Sequence, residues 1–87
     1  MTLLWDDSAW EDYVWWQEHQ NRKIVHRINT LIQDIQRNGN EGIGKPEPLR
    51  NELSGYWSRR IDDEHRLVYK IHGDQIWIAQ CRFHYTR

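Results

Sequence analysis

The chain holds one cysteine, one phenylalanine, one methionine, two prolines and five glycines in 87 residues. A single cysteine excludes an intrachain disulfide and any four-thiolate metal site. No apolar run reaches membrane length, and Met1-Thr2-Leu3-Leu4-Trp5 runs straight into Asp6-Asp7. Neither a membrane anchor nor a secretory leader is therefore expected, and a cytoplasmic location is. No repeat, low-complexity stretch or linker divides the sequence, so residues 1–87 read as one small domain with a single modest core. No glycine-rich phosphate loop is present, because Gly42-Ile43-Gly44 lacks a Lys-Ser/Thr ending and opens no helix. The five histidines do not recur at zinc-binding intervals, and Asp62-Asp63-Glu64 lacks ligand spacing. No Ser-His-Asp or Cys-His arrangement stands out, and no metal or other cofactor is expected. A large charge of one sign is missing too: a formal net charge of −1 predicts no obligatory polyanion binding.

What the chain does contain is aromatic and arginine-rich. Six tryptophans, four tyrosines and one phenylalanine make up 13% of it, against a hydrophobic fraction of 38%. The core must rest on a few large rings. The near-neutral average also conceals an asymmetry. Residues 1–44 carry four basic and seven acidic side chains, residues 45–87 eight and six. A mildly cationic second half suits a local anion site better than a long nucleic-acid groove. Nine of the twelve basic residues are arginine, whose planar fork matches phosphate.

Thr2–Trp5 is a short apolar run that reads as a first strand. Ser8 and Glu11 have the spacing of a helix-start capping box, and Trp10, Tyr13, Val14 and Gln17 follow at helical steps, predicting a helix from about Ala9 to His19. Ile24, Ile28, Leu31, Ile32 and Ile35 lie on one stripe of a second helix, which Gly39 closes. Asn40 to Pro48 reads as loop, with Pro46 and Pro48 stiffening the backbone around Glu47. Strands are expected over Tyr56–Ile61, His65–Ile71 and Gln75–Tyr85, with turns at Asp62-Asp63-Glu64 and Gly73-Asp74. The order β-α-α-β-β-β predicts an α+β domain: a mainly antiparallel twisted sheet with a helical hairpin on one face.

Alternation along these strands sorts their side chains. Trp77, Ala79, Cys81 and Phe83 should share one face and Gln80, Arg82 and His84 the other. Leu67, Tyr69 and Ile71 oppose Arg66, Val68 and Lys70, while Trp57 and Ile61 oppose Tyr56, Ser58 and Arg60. The face away from the helices should then gather Arg60, Arg66, Arg82 and His84, a clustering of like charge that asks for an anion. Cleavage of an RNA phosphodiester through its own 2′-hydroxyl needs a base, cations on the phosphoryl oxygens and an acid for the leaving 5′-oxygen. Glu47, the arginines Arg60 and Arg66, and His84 are candidates for those services, and Tyr56 and Tyr85 could stack a base. The plainer alternatives are a surface glutamate between prolines, a solvated terminal histidine, and Arg59-Arg60 paired with Asp62 or Asp63. For Trp15-Trp16, one ring can face the core; the other marks a docking surface or lies half-covered at the hairpin edge.

Several long motifs in order carry a more specific signal. Gly-Lys-Pro-Glu-Pro-Leu (44–49), Leu-Ser-Gly (53–55), Trp-Ser-Arg-Arg-Ile (57–61), Glu-His-Arg-Leu-Val-Tyr (64–69) and Cys-Arg-Phe-His-Tyr (81–85) resemble the YoeB (Txe) family of bacterial type II toxins, within the RelE/ParE superfamily. The resemblance implies a microbial-ribonuclease-like sheet carrying two helices. It implies a metal-independent endoribonuclease that cleaves mRNA in the 30S A site of the ribosome and stops translation. A YefM/Phd-type antitoxin is implied as its inhibitor, with operator DNA bound only through the antitoxin complex, and a homodimer as its state. By the same resemblance Glu47 corresponds to the general base, His84 to the general acid and Arg66 to the residue that stabilises the transition state. Arg50 and Arg60 correspond to phosphate contacts and Tyr85 to a substrate-contacting tyrosine; Arg82 is expected to contact substrate from its place on the same face by alternation. Relatives often carry Lys where Arg50 stands and tend to end at the His-Tyr pair, two residues short of this chain. Two other functions compete: a non-catalytic ribosome- or RNA-binding inhibitor of translation, and a toxin acting on a protein such as gyrase, for which a general acid at position 84 would have no use.

Overall fold

The structure, a computed structural model, describes residues 1–84. Its elements are β1 (Thr2–Trp5), α1 (Asp7–Glu18), α2 (Arg22–Asn38), β2 (Glu47–Pro48), a 3-10 turn (Asn51–Leu53), β3 (Trp57–Arg60), β4 (Arg66–His72) and β5 (Gln75–Gln80). The five strands form one sheet in the order β1-β5-β4-β3-β2, with β1 parallel to β5 and every other pair antiparallel. This is the expected α+β arrangement with one addition, the two-residue β2. Two proline-flanked residues give no periodic signal, yet an edge strand tolerates proline because its outward side needs no N–H.

Helix α2 forms as its sequence dictates. The Asn21 side chain accepts the N–H of Ile24 at 3.1 Å and caps the first turn. Ile24, Ile28, Leu31, Ile32 and Ile35 are all buried, and Gly39 ends the helix at φ 67. Helix α1 departs from expectation. Its N-cap is Asp6, which makes no side-chain cap bond, and Ser8 Oγ donates instead to Ala79 O at 3.3 Å, so the Ser8/Glu11 capping box is not made. Its buried face is Ala9 and Trp16, whereas Trp10 is 51% exposed. The small Ala9 lets the helix approach until the Cys81 thiol meets Ala9 O at 3.5 Å, and the bulky Trp10 turns to the rim beside Trp5 and Tyr13. Trp16 is buried and donates from Nε1 to Cys81 O at 2.9 Å. Trp15 is a half-covered edge ring, stacked with His19 at 3.8 Å and lying 3.5 Å beneath the Arg82 guanidinium.

The helices pack on a sheet face built from Trp57 and Ile61, Leu67, Tyr69 and Ile71, and Ile76 and Ile78. In β5 the expected assignment of faces is reversed over residues 76–79: Ile76 and Ile78 are fully buried, while Trp77 and Ala79 are not. A register shift at Val68/Tyr69, where Gln80 pairs with Val68 but Ile78 with Tyr69, inserts one extra residue and returns Cys81 to the core. The strand also ends at Gln80, short of the expected Tyr85.

Candidate active site

The sheet face turned away from the helices carries two rungs of side chains, polar except for the buried Val68. Glu47 opposes Ser58, Ser58 opposes Val68, and Val68 opposes Gln80 across β2, β3, β4 and β5. Two residues along, Arg60 of β3 directly opposes Arg66 of β4. With strands about 4.8 Å apart and a rise of about 3.3 Å per residue, the Glu47 Cα lies about 8 Å from that of Arg60 and about 12 Å from that of Arg66. Glutamate and arginine side chains can converge across such gaps.

Glu47 reaches its rung because the preceding loop is tied down from inside. Alternation in β3 points Arg59 inward with Trp57 and Ile61, and it is fully buried. Its guanidinium pairs with Asp34 of α2 and donates to Gly39 O (2.7 Å), Glu41 O (3.0 Å) and Ile43 O (3.0 Å). Its Nε donates to the Tyr69 hydroxyl at 3.2 Å. The Arg59 hydrogen bond holds the Asp34 carboxyl below its ordinary value, and burial pushes the Tyr69 phenol up. The loop lies so close to this cluster that a Cβ on Gly42 would fall onto the Asp34 carboxylate, and one on Gly44 would sit 2.9 Å from Leu31 Cδ2. The Arg60 N–H then donates to Gly44 O (2.7 Å) and the Leu49 N–H to Tyr56 O (2.9 Å), clamping the chain on both sides of Glu47.

The facing arginines lack the partners that usually neutralise such a pair. Among the described residues neither Arg60 nor Arg66 forms an ion pair with a carboxylate. Arg66 is only 8% exposed, and its Nη1 donates to the carbonyls of Asp62 (2.8 Å), Asp63 (3.3 Å) and His65 (3.1 Å). These bonds fix the guanidinium plane at one nitrogen of a group with five N–H donors. The Nε of Arg60 is buried with no hydrogen-bond partner among the described residues. A buried orphan donor is costly, and two adjacent cations add to that cost until an anion arrives.

His84 follows an irregular tail that passes against Arg66. Beyond Gln80 the backbone leaves the ladder, and side chains take over its polar groups. Asp12 Oδ2 accepts the Cys81 N–H (3.2 Å), and Gln80 Nε2 donates to Arg82 O (2.9 Å) and Phe83 O (3.1 Å). The Arg66 N–H donates to Phe83 O at 3.0 Å, and His65 Nδ1 accepts the Phe83 N–H at 2.6 Å. His84, the next residue, is exposed and lines a cleft of about 410 Å³ with Ser8, Asp12, Ala79, Gln80, Arg82 and Phe83. Burial raises the Asp12 carboxyl, and burial followed by the Asp12 charge raises the Cys81 thiol, so the cysteine is a core residue and no nucleophile.

The structure thus brings Glu47, Arg60 and Arg66 onto one face and sets the peptide before His84 against Arg66. It does not bring Arg82 with them: the tail turns its guanidinium toward α1, over Trp15 (3.5 Å) and Phe83 (4.4 Å), because the strand that would have pointed it outward has ended. Arg50 is exposed and begins the 3-10 turn beyond Tyr56, at the end of β2 away from Arg60. Tyr85 lies outside the described residues. Arg59 pairs with Asp34 and with neither Asp62 nor Asp63. Its role was missed although alternation between Trp57 and Ile61 pointed it inward, where an arginine must find a carboxylate. Nor did the sequence single out Asp12 or His65, whose partners are backbone atoms far along the chain. Among the described residues no three His, Cys, Asp or Glu side chains converge to hold a metal ion.

Residues 5–85 match the family model of the YoeB-like toxin of bacterial type II toxin-antitoxin systems. The chain is 54% identical over 85 residues to Toxin YoeB of Escherichia coli K12, covering 98% of this chain and all of that one. The YoeB/ParE toxin from Agrobacterium tumefaciens superposes with a TM-score of 0.93 at 47% identity, covering 98% of this chain and 100% of that one. The YoeB of Staphylococcus aureus, solved in complex with YefM (TM-score 0.90, 49% identity) and as a dimer (TM-score 0.90, 48% identity), covers 98% of each chain. On this agreement of sequence, fold and motif order, the chain belongs to the YoeB family, toxins of bacterial type II toxin-antitoxin systems.

Proposed function

We propose that this toxin is a ribosome-dependent, metal-independent endoribonuclease that cuts mRNA in the A site. The observation that carries the reading is the Arg60–Arg66 pair, without a carboxylate partner among the described residues and with a buried orphan Nε, one rung from the Glu47 carboxylate. A phosphodiester at this pair would meet N–H donors from both arginines. Glu47 takes the proton of the 2′-hydroxyl. The freed oxygen attacks the adjacent phosphorus, closing a 2′,3′-cyclic phosphate, while the bond to the 5′-oxygen breaks. His84 gives its proton to that departing oxygen. Arg66, rigidly held, and Arg60 steady the charge that builds on the phosphoryl oxygens. Arg50, set apart along the sheet, contacts a flanking phosphate, and Tyr85 contacts substrate from the tail. Arg82 supports the tail through Trp15, with at most a rim contact to RNA.

The face is small and open, and four or five contacts cannot hold a flexible strand in line for attack, so the ribosome supplies the alignment. By likeness to the S. aureus relative, solved in complex with YefM, a YefM-type antitoxin binds this toxin; it holds the toxin inactive by covering the arginine face with a partly disordered acidic segment that folds on binding. By likeness to the S. aureus YoeB dimer the free toxin is a homodimer; operator DNA is bound only through the antitoxin complex. The test is to map RNA 5′ ends on translated mRNA in the presence of EDTA. Glu47→Ala and His84→Ala should each lose about 10²–10⁴-fold in cleavage rate, and Arg66→Ala a comparable factor, with melting curves intact. Full activity in all three ends the assignment. Inhibition of translation with no new 5′ ends, surviving His84→Ala, identifies a non-catalytic inhibitor.

A further inference from the structure

We infer that His65 is a positioning residue for the acid-bearing tail: its unprotonated Nδ1 grips the peptide immediately before His84 and thereby fixes where the imidazole of His84 falls. The inference rests on the reading of His84 as the general acid. Residues 81–84 lie beyond the last ladder pair of β5, so nothing in the sheet alone fixes where His84 falls. Residues 65 and 66 fix it, together with Gln80, whose Nε2 also donates to Arg82 O and Phe83 O. The Arg66 N–H donates to Phe83 O at 3.0 Å, and His65 Nδ1 accepts the Phe83 N–H at 2.6 Å, so both polar groups of Phe83 are held by two consecutive residues of the strand that carries Arg66.

The rest of the geometry agrees. Phe83 takes φ 64, a left-handed backbone that a residue with a large side chain adopts only when its surroundings impose it. A nitrogen that accepts from an amide carries no proton, so the proton of neutral His65 lies on Nε2, which faces the Glu64 carboxylate at 3.7 Å. The ring is edge-on to Trp16 at 4.8 Å and tilted against Phe83 at 5.9 Å, and its side chain is only 12% exposed. The His65 N–H is itself fixed by Asp62 Oδ1 at 2.7 Å. The imidazole is thus a rigid acceptor, held by the same turn whose carbonyls hold the Arg66 guanidinium. One turn positions the cation and, through Phe83, the acid.

The test compares His65→Leu with His65→Asn in single-turnover cleavage on programmed ribosomes. The leucine fills space but accepts nothing, whereas the asparagine Oδ1 stands close to where Nδ1 stood. His65→Leu should lower kcat about 10- to 100-fold with KM within about twofold, because Arg60, Arg66 and Glu47 are untouched. His65→Asn should recover most of that loss. A folded His65→Leu protein with wild-type kcat, or equal losses in both variants, overturns the inference. Should His65→Leu fail to fold, amide hydrogen exchange in the wild-type toxin decides. The exposed Phe83 amide should exchange at least about tenfold slower than in a free peptide, and exchange at the free-peptide rate overturns the clasp. His84→Ala separates the two claims. Full cleavage activity in that variant sinks the reading of His84 as the general acid, while an inactive His84→Ala beside an active, folded His65→Leu sinks only this inference.

Discussion

Replacing Asp34 by Asn removes one charge and almost no volume, so it isolates what the Arg59 pair contributes. Arg59 is fully buried, and its guanidinium has no other carboxylate among the described residues. Losing one partner of a buried pair strands the other charge, at a cost of about 3–5 kcal/mol. The amide oxygen still accepts one hydrogen bond, which places the expectation at the low end, about 3 kcal/mol. An 87-residue domain has a total stability of about 4–13 kcal/mol, so this is a large fraction of it. At about 4–8 °C per kcal/mol for a domain of this size, Tm should fall by about 12–24 °C. The pH dependence follows from the direction of the Asp34 shift. Its folded value lies below the ordinary 3.8, so its contribution is fully present above pH 3.8 and is lost as the pH falls through the folded value. Thermal melts of wild type and Asp34→Asn should therefore lie far apart at pH 7 and converge in acid. A neutral-pH difference under about 3 °C, or a gap that widens below pH 4, refutes the account of Arg59 as the anchor of the Glu47 loop.

Gly42→Ala forces a methyl group onto the Asp34 carboxylate at φ 133; it should cost about 1–3 kcal/mol in denaturant titrations and lower cleavage more than its stability loss explains. Arg60→Met removes a like-charged neighbour and an orphan donor while leaving the Gly44 backbone bond in place. Its Tm should stay level or rise while kcat/KM falls at least about tenfold, and a lower Tm with unchanged kcat/KM would show that Arg60 serves the fold. Cys81, buried with its thiol pushed up, should resist alkylation in the native protein and react within minutes in denaturant; rapid native labelling would mean that the tail opens. Free transcripts should be cut far more slowly than translated ones, and equal rates would remove the ribosome from the mechanism.

How much of this was legible in the sequence depended on whether the determinant was local. The stripe and the stop of helix α2 were readable, because five aliphatics at helical spacing and a terminal glycine act within one element; its Asn21 cap was not singled out. Helix α1 was placed, but its face was misread. Trp10 outweighs Ala9 on any hydrophobic count, while close approach to Cys81 favours the smaller side chain. Alternation identified the open face of β3 and β4 and put Arg60 beside Arg66. It failed in β5, where one inserted residue shifts the phase and no local pattern announces it. Glu47, Arg66 and His84 could be named as candidates from residue type and motif. How Glu47 and the His84 tail are held could not, since that depends on Arg59 meeting Asp34 and on His65 meeting Phe83 across long sequence separations.

The two-residue strand that carries Glu47 is also the outer border of the sheet. Leu49 sends its N–H inward to Tyr56, and the antiparallel register gives Glu47 the same inward orientation, which leaves the amides of residues 46 and 48 as those aimed at solvent. Both of those residues are proline. The border therefore offers no N–H to an extended chain seeking a berth beside it, only the carbonyl oxygens of the two prolines. An extended chain laid along this flank, a second toxin molecule's included, meets acceptors without donors and cannot complete a β ladder beside Glu47.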